Sequence, residues 1–203
     1  RDDVESRGLG DVYKRQGNDS AKVAALSQKV LDGLHEGNVY GVIKHFPGHG
    51  ATAGDTHEGY AYTDKSLEEL EQQELVPFQN AIENHIAIIM AGHISVPNVT
   101  GDNTPSSLSK IMITDVLREK MGFDGIVITD ALNMGAISQH YSSAEVSVRV
   151  IEAGGDMLLM PENFQEAYQG ILEAVQNGTL TEERIDESVR RILKVKEKLT
   201  AED

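Results

Sequence analysis

The chain has 203 residues and a formal net charge of −15, from 33 acidic against 18 basic side chains, which argues against a nucleic-acid partner because phosphate-backbone binding needs a basic face. There is no cysteine, so disulfides and thiolate metal sites are excluded while the compartment stays open. No apolar run approaches the roughly 18 residues of a membrane span, and a hydrophobic content of 39% fits one ordinary globular core.

Residues 1–16 (RDDVESRGLGDVYKRQ) are charged, contain glycine and lack sustained periodicity; they read as a non-native tail and are set apart from the folded part, 17–203. Beyond them the pattern alternates between periods of 3.6 and 2. Ser20–Glu36 is expected to be a helix with Val23, Leu26, Val30 and Leu34 inward, stopped by Gly37, and Val39–Ile43 a buried strand. The capping box Ser66-x-x-Glu69 opens a helix to about Asn84 with Leu67, Leu70, Phe78 and Ile82 inward, and Pro77 is expected to kink it. Ile86–Met90 is the second strand, running into Ala91-Gly92-His93. A loop over Pro97–Pro105 precedes a helix from about Ser109 to Met121 that buries Ile113, Val116 and Leu117.

Gly125–Thr129 is the third strand, with Asp130 at its carboxyl end. A helix near Ser143–Ala153 leads through Gly154-Gly155 to a fourth strand, Asp156–Met160. Two helices follow, Asn163–Asn177 and Thr181 to about Leu199, the last with Ile185, Val189, Ile192 and Leu199 on one face. Strands apolar on both faces and separated by helices mean a parallel sheet in an α/β fold, either doubly wound or half of a (β/α)8 barrel. A complete barrel takes about 250 residues.

The densest chemistry follows the first strand. Lys44-His45-Phe46-Pro47-Gly48-His49-Gly50 places two imidazoles in seven residues, His49 between glycines, and Asp55 and His57 stand shortly after. Residues at the carboxyl ends of parallel strands are where α/β enzymes present reacting groups. On position alone Asp130 reads slightly better as a helix N-cap, Lys44 as a salt-bridged lysine and His45 as a satisfied core histidine. His49 is balanced between loop conformation and function, and His93 leans toward structure.

The segment Gly122-Phe123-Asp124-Gly125-Ile126-Val127-Ile128-Thr129-Asp130-Ala131-Leu132-Asn133-Met134, preceded by the helix ending Val116-Leu117-Arg118-Glu119-Lys120, resembles the nucleophile signature of family 3 glycoside hydrolases. Lys44–Gly50 resembles the β-N-acetylhexosaminidase branch of that family. The resemblance covers nearly all of 17–199 and implies the C-terminal half of a (β/α)8 TIM barrel. It also implies retaining removal of terminal β-linked N-acetylglucosamine, from peptidoglycan or chitooligosaccharide fragments.

In that reading Asp130 attacks the anomeric carbon, and Asp55 with His57 forms the acid/base pair. Lys44 and His45 hydrogen-bond sugar hydroxyls, and Met134 packs under the ring, against an alternative as plain core. No metal and no organic cofactor is implied, and the partner is a carbohydrate. Ala51 stands where the family usually has aspartate, and Tyr13–Gln16 replace an Arg-Ser-Phe-like element. The family's early strands, with the aspartate and arginine that grip the sugar, are expected to be missing. The isolated segment is therefore expected to be weakly active or inactive, with open sheet edges.

Two rival readings are a metal-dependent hydrolase, with zinc held by His45, His49, Asp55 and His57, and a sugar-binding remnant without catalysis. Whether water or phosphate accepts the glycosyl group is open, since a neutral histidine repels an anion less than a glutamate would.

Overall fold

The computed structural model describes residues 19–50, 52 and 61–200. Helix α1 (Ser20–Glu36) is capped by the Asp19 side chain, which accepts from the Lys22 N–H. Strand β1 (Val42–Phe46) follows, and β2 (Ala61–Tyr62) stands apart from it. Next come α2 (Leu67–Gln72), α3 (Val76–Glu83), β3 (Ile88–Ala91), β4 (Ile94–Ser95) and a single turn, α4 (Pro97–Thr100). A 3-10 turn over Ser106–Leu108 leads to a helix over Ile111–Lys120. The chain then forms β5 (Ile126–Thr129), α5 (Gly135–Ser138), α6 (Ser143–Ala153), α7 (Phe164–Gln176) and α8 (Glu182–Thr200).

β1, β3 and β5 form a parallel sheet in chain order, with Val42 opposite Ile88 and Ile88 opposite Ile126. A doubly wound sheet reverses its strand order at a switch point, whereas a barrel adds each strand beside the last. The order runs one way through all three strands and on to residues 156–160 beside β5, as it does in a barrel. This is an α/β fold with the architecture of the C-terminal half of a (β/α)8 TIM barrel. Its main core joins Phe46, Ile89 and Val127 of the sheet to Leu70, Leu75 and Phe78 of the first helical layer, with Met112, Ile113, Val116 and Leu117 of the second.

Several sequence expectations shift. The α1 helix buries Ala24, while Leu26 and Val30 are 42% and 50% exposed; its inner face runs through Ala24, and its Leu31 and Leu34 rest on Gly41. Small side chains allow close approach where the α1 helix meets α3, and these override the larger apolar positions. β1 begins later than expected, so Val39 is exposed and His45 lies within the strand. Pro77 does not kink one helix; it sits in the first turn of α3, where its missing N–H is harmless, and the chain breaks into α2 and α3.

The helix over Ile111–Lys120 is wound as a π-helix, closing with the Met121 N–H on the Val116 carbonyl. Val189 of α8 is exposed, because Ser188 occupies the buried position beside it.

Residues 156–160 lie along β5 but make only one parallel bridge, Ile128 with Met157. The reason is chemical. The Val127 N–H donates to the Asp156 carboxylate (2.9 Å) and the Leu159 N–H donates to Thr129 Oγ1 (3.1 Å), so side chains take places a regular ladder gives to backbone. Asp156 is fully buried and also accepts from Arg118 Nη2 (2.6 Å), Ser188 Oγ (2.7 Å) and Arg191 Nη1 (3.2 Å).

Candidate active site

Three parallel strands ending together bring their following residues to one rim. Past the last residues of β1 and β3 the backbone continues in step: the Gly92 N–H donates to the Phe46 carbonyl (2.9 Å) and the Asp130 N–H to the Ala91 carbonyl (2.8 Å). His45, His93 and Asp130 therefore meet, although 85 residues separate the first from the last. A Cβ on Gly92 would lie 3.0 Å from His45 Cβ, so a glycine is what lets β3 pass this close.

The Asp130 carboxylate is held from two sides. Oδ1 accepts the Ala131 N–H at 2.9 Å, and Oδ2 lies 3.4 Å from His45 Nε2. The Asp130 and His45 side chains are 21% and 23% exposed, open enough on the rim to meet a ligand. Burial pushes the His45 imidazole down to about 4, outweighing the opposing pull of Asp130; Lys44, His49 and His93 add smaller pushes in the same direction. At neutral pH His45 is thus an uncharged donor or acceptor beside the carboxylate.

His93 is almost completely buried. Its Nε2 is 3.0 Å from the Ala131 carbonyl and its Nδ1 2.8 Å from Ser107 Oγ. A carbonyl only accepts, so Nε2 carries the proton and Nδ1 accepts from the serine. Burial lowers the His93 pKa, against the pull of the Ala131 carbonyl and of Asp130, which keeps this tautomer neutral. His93 thereby holds the peptide next to Asp130. Ser107, its partner, carried no sequence signal.

Lys44 is exposed in β1. Met134, half-buried, precedes the α5 turn and accepts the Ile137 N–H through its carbonyl (2.8 Å). His49 is exposed, with Thr52 Oγ1 at 2.9 Å from its Nδ1 and its ring edge-on to His45 at 5.9 Å between centroids. Asp55 and His57 lie outside the described residues. Among the described residues, no three His, Asp or Glu side chains gather to hold a metal ion, and no helix is long and apolar enough to cross a membrane.

Residues 10–195 match the family described as Glycosyl hydrolase family 3 N terminal domain. The chain belongs to this family. It is 34% identical over 149 residues to a β-hexosaminidase of Chromobacterium violaceum, covering 73% of this chain and 41% of that protein. It is 35% identical over 188 residues to β-hexosaminidase LpqI of Mycobacterium tuberculosis, covering 89% of this chain and 48% of the relative. A solved family 3 β-N-acetylglucosaminidase from a Paenibacillus species superposes with a TM-score of 0.90 at 36% identity, over 94% of this chain and 37% of that one. The chain thus spans less than half the length of these family 3 relatives.

Proposed function

We propose that this family 3 chain carries the nucleophile side of a retaining β-N-acetylglucosaminidase acting on terminal N-acetylglucosamine of peptidoglycan or chitooligosaccharide fragments. The observation that carries the reading is Asp130: a strand-end carboxylate oriented by the Ala131 N–H and flanked by His45, with the neighbouring peptide clamped by His93. A carboxylate so fixed suits in-line attack on an anomeric carbon, giving a glycosyl ester that water then cleaves.

Asp55 and His57 form the acid/base pair in this proposal. His57 protonates the leaving oxygen and later takes the proton of the attacking water, with Asp55 orienting its ring. Lys44 and His45 meet sugar hydroxyls from β1, and Met134 packs beneath the ring. Residues 17–203 are assigned to the partial barrel domain, with the family match itself reaching back to residue 10. The groups that grip the sugar from the other half of the barrel are needed for full activity, so the isolated segment turns over weakly or not at all.

The test uses full-length protein and a mechanism-based fluorinated N-acetylglucosaminide, followed by peptide mass spectrometry. Label on Asp130 is expected, with Asp130→Ala losing turnover by at least about 10³-fold. Label on another residue, or unaffected turnover in Asp130→Ala, overturns the assignment.

A further inference from the structure

Both ends of the histidine loop meet one side chain. Leaving β1, the chain passes Gly48, whose φ of +136° is one that L side chains rarely adopt. A Cβ placed there would lie 2.7 Å from Glu74 Cβ and 2.8 Å from its Cγ, so the loop backbone rests directly on the Glu74 stem. The chain returns through β2, which pairs in parallel with β4, and is pinned there by the Thr63 N–H on the Ser95 carbonyl (3.1 Å). Lys65 then reaches back, its Nζ at 2.5 Å from Glu74 Oε1 and 2.8 Å from Gln73 Oε1.

Glu74 occupies the break between α2 and α3 that Pro77 enforces, and its side chain is only 11% exposed. Its second oxygen, Oε2, is buried without a hydrogen-bond partner. Burying a carboxylate with one oxygen unsatisfied is costly, so the site gives up stability to keep a charge at this joint. An uncharged side chain of the same length would fill the space beneath Gly48 equally well. What the charge adds is the hold on Lys65.

We propose that Glu74 is a positioning residue that ties the outgoing end of the histidine loop, through Gly48, to its returning end, through Lys65. Resting on the function proposed above, the tie joins the two ends of the sequence stretch that carries Asp55 and His57. Neither Glu74 nor Lys65 need touch substrate to do this.

The experiment compares full-length wild type with Glu74→Gln and with the swap Lys65→Glu/Glu74→Lys. It reads hydrogen–deuterium exchange of peptides over 47–65 against those of α7, together with kcat and KM on a chromogenic N-acetylglucosaminide. Glu74→Gln should speed exchange over 47–65 about tenfold while leaving α7 unchanged, and the swap should restore most of the protection. Turnover should fall in kcat with KM nearly constant. Unchanged loop exchange, an equal rise in α7, or a swap that restores nothing overturns the proposal. Faster exchange confined to the loop with kcat unchanged upholds the tie and instead overturns the assignment of proton transfer to Asp55 and His57.

Discussion

Asp156→Asn is the sharpest test of what holds the barrel segment together. The carboxylate is inaccessible to solvent and faces three guanidinium groups: Arg118 at 2.6 Å, Arg191 at 3.2 Å and Arg184 at 3.8 Å. Burial lowers the pKa of Arg118 and of Arg184, and Asp156 is the chief group opposing that push. Asparagine keeps the shape but removes the charge and turns an NH2 group toward donors. The Val127 N–H, Arg118, Ser188 and Arg191 then compete for one remaining oxygen.

Removing one member of a buried ion cluster typically costs about 3–5 kcal/mol, against a total stability of about 5–15 kcal/mol for a domain. Urea unfolding followed by circular dichroism should show a fall of that size at unchanged slope. Arg190→Gln provides the contrast, since its partner Asp186 is on the surface and both side chains are mostly exposed; the expected change there is below about 0.5 kcal/mol. If Asp156→Asn is too unstable to purify, Ser188→Ala removes a single 2.7 Å bond to the same carboxylate and should cost about 1–3 kcal/mol. A loss in either Asp156→Asn or Ser188→Ala no larger than that of Arg190→Gln would refute the reasoning.

His45 should titrate near 4 in an NMR experiment, assigned by loss of its signal in His45→Asn; a midpoint at or above the ordinary 6.5 contradicts the burial argument. Because the folded pKa lies below the unfolded one, the unfolded chain binds more protons between the two values. The stability linked to neutral His45 is therefore intact above pH 6.5 and lost as pH falls through about 4, by at most about 3 kcal/mol. His93→Phe removes the donor to the Ala131 carbonyl and the acceptor for Ser107, so thermal unfolding should report a cost of about 2–4 kcal/mol; a change under about 0.5 kcal/mol would show that neither bond matters.

The sequence made legible whatever depends on local pattern. Alternating strand and helix, the capping box at Ser66, and Asp130 at a strand end were all visible because each is written in contiguous residues. The choice between a barrel and a doubly wound sheet was not, since strand order is a long-range property. Helix faces misled where packing favoured closeness over size: in the α1 helix the 3.6-residue period pointed to Leu26 and Val30, but Ala24 is the position that α3 can approach. The clusters around Asp156 and Glu74 were invisible for a different reason. Their members look like ordinary charged residues until the fold brings Arg118 against Asp156, 38 positions on, or Lys65 against Glu74.

The two ends of β5 show how this architecture separates stability from chemistry. Toward its start, Val127 donates to Asp156 within a buried ion cluster in which Asp156 opposes the cost of burying the Arg118 and Arg184 guanidinium groups. Just past its end, Asp130 sits beside an imidazole that burial keeps neutral, so its carboxylate is oriented by hydrogen bonds but not neutralised by a fixed cation at that contact. A strong cation against Asp130 would hold the carboxylate more firmly and make it a poorer nucleophile toward carbon. Firmness must then come from elsewhere. It comes through backbone: the Leu159 N–H on Thr129 Oγ1, the Asp130 N–H on the Ala91 carbonyl, and the His93 grip on Ala131. The rim can remain weakly charged because the opposite end of the same strand is locked by charge.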